Sequence, residues 1–257
     1  MNFRFFTIAC ALFILGIFLA MFLSLLSFVD PARLGSLLTS DRIVFSIKLS
    51  IKAALLSTFF SMLLAIPAGY ALSRFDFSGK KIIDALLEVP LMVTPVALGA
   101  MLLIFFNTRA GIALQNNLWS FVFEFSGIVL AQFLTTIGLA VRMIKNTFDE
   151  IPGRFEVVAC SLGASPARAF LEITLPMARK GLLATTGVTF AKCIGEFGAT
   201  AMIAGAMPNK SETIPISIFI RLGSADIEGM TIMIIILLGV GLSVIFILKF
   251  ILKAKYD

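Results

Sequence analysis

Apolar residues in this chain gather into six long runs, at about 5–29, 44–72, 82–106, 127–143, 181–207 and 229–252, and most charges fall between them. Even the shortest run reaches the roughly 17 residues that a helix needs to cross a hydrocarbon core about 30 Å thick. Backbone N–H and C=O groups in lipid must bond to one another within the segment, so runs of this length read as helices. The pattern predicts an all-α polytopic membrane protein with six transmembrane helices, a single domain over 1–257 without internal repeats. The first run outlasts the roughly 7–15 apolar residues of a signal peptide and no small-residue cleavage site follows it, so it reads as a retained helix. The fourth is the shortest and closes on charge.

Composition supports the same class. The chain is 59% hydrophobic and 14% charged, against about 45–50% and 25% for soluble domains. Lys and Arg number 21 against 15 Asp and Glu. In a soluble protein that excess would raise nucleic acid as a partner; here topology accounts for it. Arg4, Arg74, Lys80, Lys81, Arg142, Lys145, Arg154, Arg168, Arg179, Lys180, Lys249, Lys253 and Lys255 occupy one set of connections. Arg33, Arg42, Lys48, Arg109, Lys210 and Arg221 occupy the other. The positive-inside rule assigns the richer set to the cytoplasm, which places both termini inside a multi-pass protein of the cell membrane, surrounded by lipid and not by nucleic acid. Cys10, Cys160 and Cys193 are too scattered for a zinc site or a disulfide framework, and histidine is absent. No metal site and no catalytic set emerge, so the chain does not read as an enzyme. In the outer connection at 107–126, Trp119, Phe121, Phe123 and Phe125 alternate, as in an aromatic belt or an interfacial segment.

The connection at 146–180 is unusual. It is too long for a helix hairpin, whose linkers take about 2–8 residues. Pro152 suits a first helical turn, 155–162 contains no breaker, and Gly163 offers a C′ position able to take positive φ. Ser165 is placed to cap a second helix with Pro166 at its first position. That helix is expected to reach about Ile173 and to stop before Pro176. The product is a rigid bracket of helix, tight turn and helix standing clear of the membrane. Val158, Cys160, Leu162, Ala164 and Phe170 give it apolar surface, and Arg154, Glu156, Arg168 and Glu172 give it charge. Such a bracket either lies on its own helix ends or docks into a groove on a soluble partner.

The run EVVACSLGASPARAFLEITLP, from Glu156 to Pro176, resembles the signature loop of ABC importer permeases. That loop has two small residues after a glutamate, a glycine four residues past the second, then I-x-L-P. Ala159, Gly163, Ile173, Leu175 and Pro176 match in register; Val157 stands at the glutamate's position with Glu156 just before it, and Val158 replaces the first alanine. The stretch from SIKLSIKAALLSTFF to IPAGYALSRFDFSGKK is similar to the opening of the family's core. EVPLMVTPVALG resembles the P-L-x-x-P-P-V-x-x-G run of molybdate, tungstate and sulfate permeases, with Thr94 replacing a proline. AKCIGEFGATAMIAG resembles their A-R-x-L-G-E-F-G-A-x-x-x-x-A-G, with Lys192 in place of arginine. The resemblance, strongest to molybdate permeases, implies the type I ABC importer permease fold. It also implies that Glu156, Val157, Val158, Ala159, Leu162, Gly163, Ala164, Ser165 and Pro166 dock an ATPase. The implied complex holds two permease copies as a homodimer, two cytoplasmic ATPase subunits that bind ATP and magnesium, and an external oxyanion-binding protein. It would move molybdate or tungstate inward by ATP-driven alternating access; sulfate, phosphate or another solute stay open as cargo. No G-x-x-x-x-G-K-[ST] loop occurs in this chain, so the ATP site falls to the partner.

Lys192 and Glu196 lie near the middle of the fifth run, where an ionised side chain costs about 2.5–3.5 kcal/mol. At i, i+4 they are expected to pair on one helix face, beside Gly195, Gly198 and alanines that let backbones approach. That stripe either packs helices together or, with Thr94, lines the translocation path, where Lys192 would ease an anion through. Glu88 is expected to snorkel or to meet a basic partner, and Lys48 and Lys52 to snorkel outward. An ion-driven secondary transporter would need no bracket and would show paired broken helices; the runs show no such breaks.

Overall fold

The structure, a computed structural model, describes residues 3–28, 35, 39–117 and 119–253. Arg33 and Lys255, which contribute to the charge asymmetry, and the end of the first apolar run lie outside them. Among the described residues every regular element is helical. In chain order these are α1 (Phe3–Leu26), α2 (Asp41–Arg74), α3 (Lys80–Leu86), α4 (Val89–Met92), α5 (Pro95–Phe106), α6 (Arg109–Asn117) and α7 (Phe125–Asp149). The bracket adds α8 (Arg154–Ser161), α9 (Pro166–Ala169) and a π turn (Phe170–Thr174), and α10 (Leu175–Ile194), α11 (Gly198–Ala204), α12 (Ile214–Gly223) and α13 (Ile227–Lys253) complete the chain. Four helices, α1, α2, α7 and α13, are long and apolar enough to cross a membrane; the bent pair Lys80–Met92 and Pro95–Phe106 makes a fifth if it counts as one span.

The axis of the bundle is α2, packed along α7 and α10. Its inward side carries Ser46, Ser50, Ala53, Ser57, Ser61 and Ala65, while Leu55, Phe59, Phe60, Leu63 and Leu64 face outward. A water-soluble helix would do the reverse. Lipid tails are as apolar as leucine, so helices in a bilayer associate through close packing and interhelical hydrogen bonds. Ser57 Oγ lies 3.0 Å from the Val129 carbonyl and 3.1 Å from Gln132 Oε1, and Ser61 Oγ lies 3.2 Å from Thr136 Oγ1. Toward the bracket the interior turns aromatic: the ring of Tyr70 sits 4.5 Å from Phe170 and 5.6 Å from Phe148, centroid to centroid.

The third apolar run is not one helix. It bends by 112° between Met92 and Pro95. A residue ahead of proline is pushed out of the α region, and Thr94 takes φ −63° and ψ 145°. The fifth run also breaks, with α10 ending at Ile194 and α11 restarting at Gly198. Paired broken helices, expected to be absent, are therefore present. At its other end α10 begins ahead of the apolar run, because Pro176 does not stop the bracket's second helix. The chain passes through the π turn, where the Leu175 N–H reaches the Phe170 carbonyl. That wider ring removes the clash a proline makes with the carbonyl four residues back.

The connections at 107–126 and 208–228 hold α6 and α12, which the apolar pattern did not reveal. Trp119 and Phe123 face outward while Phe121 stacks on Phe106 with centroids 5.0 Å apart, so the aromatic alternation belongs to a segment packed by one side. Residues 211–217 are buried, and Glu212 within them accepts from Arg42 Nε at 2.7 Å.

Candidate functional site

Two constellations stand out, the bracket at one end of the bundle and a seam between the two broken helices. The bracket turn follows from local rules. Leu162 ends α8, Gly163 takes φ +95°, the Gly163 N–H reaches the Cys160 carbonyl at 3.0 Å, and the Ala164 N–H reaches the Ala159 carbonyl at 3.0 Å. These two bonds define a Schellman motif, which satisfies carbonyls that the helix end would leave orphaned. Ser165 Oγ accepts the Arg168 N–H at 3.3 Å and starts α9, with Pro166 next. Of the residues expected to dock a partner, Val157, Val158 and Leu162 are 66, 57 and 85% exposed. Ser165, Pro166 and Gly163 are exposed beside them, Ala164 is half-buried, and Ala159 is buried against the rest of the bracket.

Glu156 departs from that set, because its carboxylate turns inward. Oε1 accepts from Thr174 Oγ1 at 2.6 Å and from Arg74 Nε at 3.0 Å, and Oε2 accepts from Tyr70 Oη at 2.7 Å. Burial pushes the carboxyl pKa up, but the bonds from Thr174, Tyr70 and Arg74, with the Arg74 charge, outweigh it and hold it below its ordinary value. Tyr70, Arg74 and Thr174 were not singled out from sequence. The available signal was Tyr70 and Arg74 at i, i+4 where the second apolar run turns polar.

The seam joins the starts of α5 and α11. A methyl group on Gly99 would lie 2.8 Å from Ala199 Cα, and one on Gly198 would lie 2.9 Å from Val96 Cγ2 and 3.0 Å from the Val96 nitrogen. Only glycine permits backbones this close. Thr94 caps α5 by accepting the Ala97 N–H at 3.3 Å, and Glu196 caps α11 by accepting the Ala199 N–H at 2.9 Å. The Lys192–Glu196 ion pair expected from i, i+4 spacing does not form, because the helix ends between the two residues. Glu196 is buried, whereas Lys192, Gly195 and Thr94 are exposed around the break and Gly198 is buried at its floor. Glu88 pairs with Arg142 at 2.6 Å, and Lys52 Nζ sits 5.1 Å from the centre of the Phe125 ring.

The described residues form an all-helical bundle with interrupted helices and a bracket at one end. A bacterial alginate ABC transporter in complex with an alginate pentasaccharide-bound periplasmic protein shares the fold, with a TM-score of 0.79 at 15% identity over 98% of this chain and 94% of the other. The pattern of the family described as binding-protein-dependent transport system inner membrane component matches residues 61–256, and this chain belongs to that family. Among its relatives, the molybdenum transport system permease protein ModB of Haemophilus influenzae is 34% identical over 177 residues, 68% of this chain and 77% of ModB. The molybdate/tungstate transport system permease protein WtpB of Methanocaldococcus jannaschii is 29% identical over 224 residues, 87% of each chain. The chain is thus a multi-pass ABC transporter permease.

Proposed function

We propose that this permease carries a tetrahedral oxyanion, molybdate or tungstate, inward across the cell membrane. It crosses the bilayer six times with both termini in the cytoplasm, and two copies form the pathway. Two cytoplasmic ATPase subunits, which hold ATP and magnesium, seat on the brackets, and an external binding protein delivers the anion. The bracket carries the reading: Val157, Val158 and Leu162 are exposed apolar residues on a turn held rigid by Gly163, outside the apolar runs. A surface of that kind needs a protein partner to cover it. The names of ModB and WtpB support the choice of cargo. Two interrupted helices alone would suit an ion-driven transporter equally well; family membership favours ATP as the energy source.

At the seam, the neutral Thr94 cap leaves the positive end of the α5 dipole uncompensated, and Lys192 and Gly195 are exposed at the end of α10. This lowers the barrier for an anion without closing a tight cage around it, and a cage would slow release. Reconstitution with the ATPase and binding protein tests the reading: proteoliposomes should accumulate labelled molybdate only with ATP, and excess sulfate should compete poorly. ATP-independent uptake, or equal competition by sulfate, would count against it. Reporter fusions after Phe106 and Pro208 should read external, and those after Lys81 and Pro166 internal.

A further inference from the structure

Glu156 stands one residue ahead of the position at which related loops carry their glutamate, and it faces away from the exposed side of the bracket. Two of its three donors, Tyr70 and Arg74, come from the last turns of α2, and the third, Thr174, ends the bracket's π turn where it runs into α10. Arg74 reaches further, donating from Nη2 to the Ile151 carbonyl at 2.7 Å, just ahead of α8. The side chains of Arg74 and Glu156 are each 15% exposed. Among the described residues, no other side-chain hydrogen bond runs from α8 to a membrane helix. The neighbouring rings of Tyr70, Phe148 and Phe170 already provide cohesion. Ring contacts, however, lack direction and let surfaces slide, whereas bonds to a charged acceptor fix both distance and angle. A half-buried carboxylate adds little to cohesion that apolar residues would not supply, so its value lies in geometry.

We infer that Glu156 is a positioning residue, a clasp that locks the bracket to α2 and α10 so that bracket motion reaches both helices as one body. The ATPase is met by the opposite face, through Val157, Val158 and Leu162. This rests on the reading of the chain as an ATP-driven permease, and the test separates the two.

The assembled importer is placed in proteoliposomes with Cys10 and Cys160 changed to serine and with Thr94→Cys as a reporter at the seam. Labelling by a membrane-impermeant maleimide is timed with and without ATP and vanadate. If the clasp transmits motion, nucleotide should change the labelling rate about tenfold in the parent and less than about twofold in Glu156→Gln, a loss within ordinary coupling strengths. The ATPase should copurify with both, and Val157→Asp should abolish copurification. Tyr70→Phe and Thr174→Val, which keep the charge and each remove one donor, should fall between, with losses that do not add to that of Glu156→Gln. Loss of the ATPase from Glu156→Gln would make it a docking residue and overturn the clasp. Full nucleotide response in Glu156→Gln would overturn it too, and should that variant not fold, full response in both milder variants would do the same. Uptake is read in parallel in the importer with native Thr94: one that hydrolyses ATP with its binding protein yet takes up no oxyanion would refute the cargo and leave the clasp standing.

Discussion

Gly163 permits a test in which backbone strain and side-chain bulk point in opposite directions. Its φ is +95°, and a β-carbon added there would have no atom within 4 Å. Any penalty in the free chain therefore comes from the backbone. Holding a non-glycine residue in such a region costs about 1–3 kcal/mol, with β-branched residues at the upper end. At about 2 kcal/mol, Gly163→Val would reduce the population of the closed turn by up to about thirtyfold, since 1.4 kcal/mol is tenfold. The apparent affinity for the ATPase would fall by the same factor, because only the closed bracket docks. Asparagine enters the left-handed region more readily than alanine although it is bulkier. The expected order of affinity is glycine, asparagine, alanine, valine, read by titrating fluorescent ATPase against permease in nanodiscs. Should alanine bind better than asparagine, crowding by the partner, and not strain, would govern the site.

Gly198→Val should lower the thermal midpoint in detergent, because overfilling a packed contact costs about 1–3 kcal/mol and the nearest atoms include the Val96 backbone nitrogen at 3.0 Å. Glu156 sets an acid limit. Its folded pKa lies below its ordinary value of 4.5, so its contribution is fully present above that value and is lost as pH falls through the lowered one. Melting curves between pH 7 and about pH 3 should lose stability at the acid end, less steeply in Glu156→Gln. Lys192→Gln should assemble normally yet slow oxyanion uptake, and adding Glu196→Gln should not rescue it; uptake near wild type in the double variant would mean that Lys192 serves only to neutralise Glu196.

The bracket was legible because its determinants are local. A glycine after a helical stretch and Ser-Pro two residues on specify the turn whatever surrounds them, and Gly163, Ser165 and Pro166 hold the expected geometry. The breaks in the third and fifth runs were hidden for the opposite reason. Hydropathy sums transfer free energy along the chain and is blind to direction, so a bent span and a straight one of the same composition look alike. The bend at Thr94 follows from Pro95, which hydropathy does not weigh, and the rest is tertiary, namely the approach of Gly99 and Gly198 to each other's helices and the turn of Glu196 onto the α11 N-terminus. Pro176 misled for a related reason: a π turn depends on hydrogen bonding that residue type does not announce. The serines of α2 were visible in an apolar run at helical spacing, yet their partners Gln132 and Thr136 lie on another helix.

These features meet in α10. One end grows from the bracket through the π turn, where Thr174 bonds Glu156, and the other stops at Ile194 where the seam opens. Its 20 residues span about 30 Å at 1.5 Å per residue. A helix is stiff along its axis, so a tilt imposed at the bracket arrives at the seam without a relay of side chains. In the proposed cycle the break at 195–197 is where such a tilt would act, because α11 packs on α5 through glycine contacts and α10 ends before them. Lys192 lies within the last turn of α10 and Thr94 at the start of α5. In the proposed cycle the separation between an exposed cation and a helix N-terminus changes with each stroke.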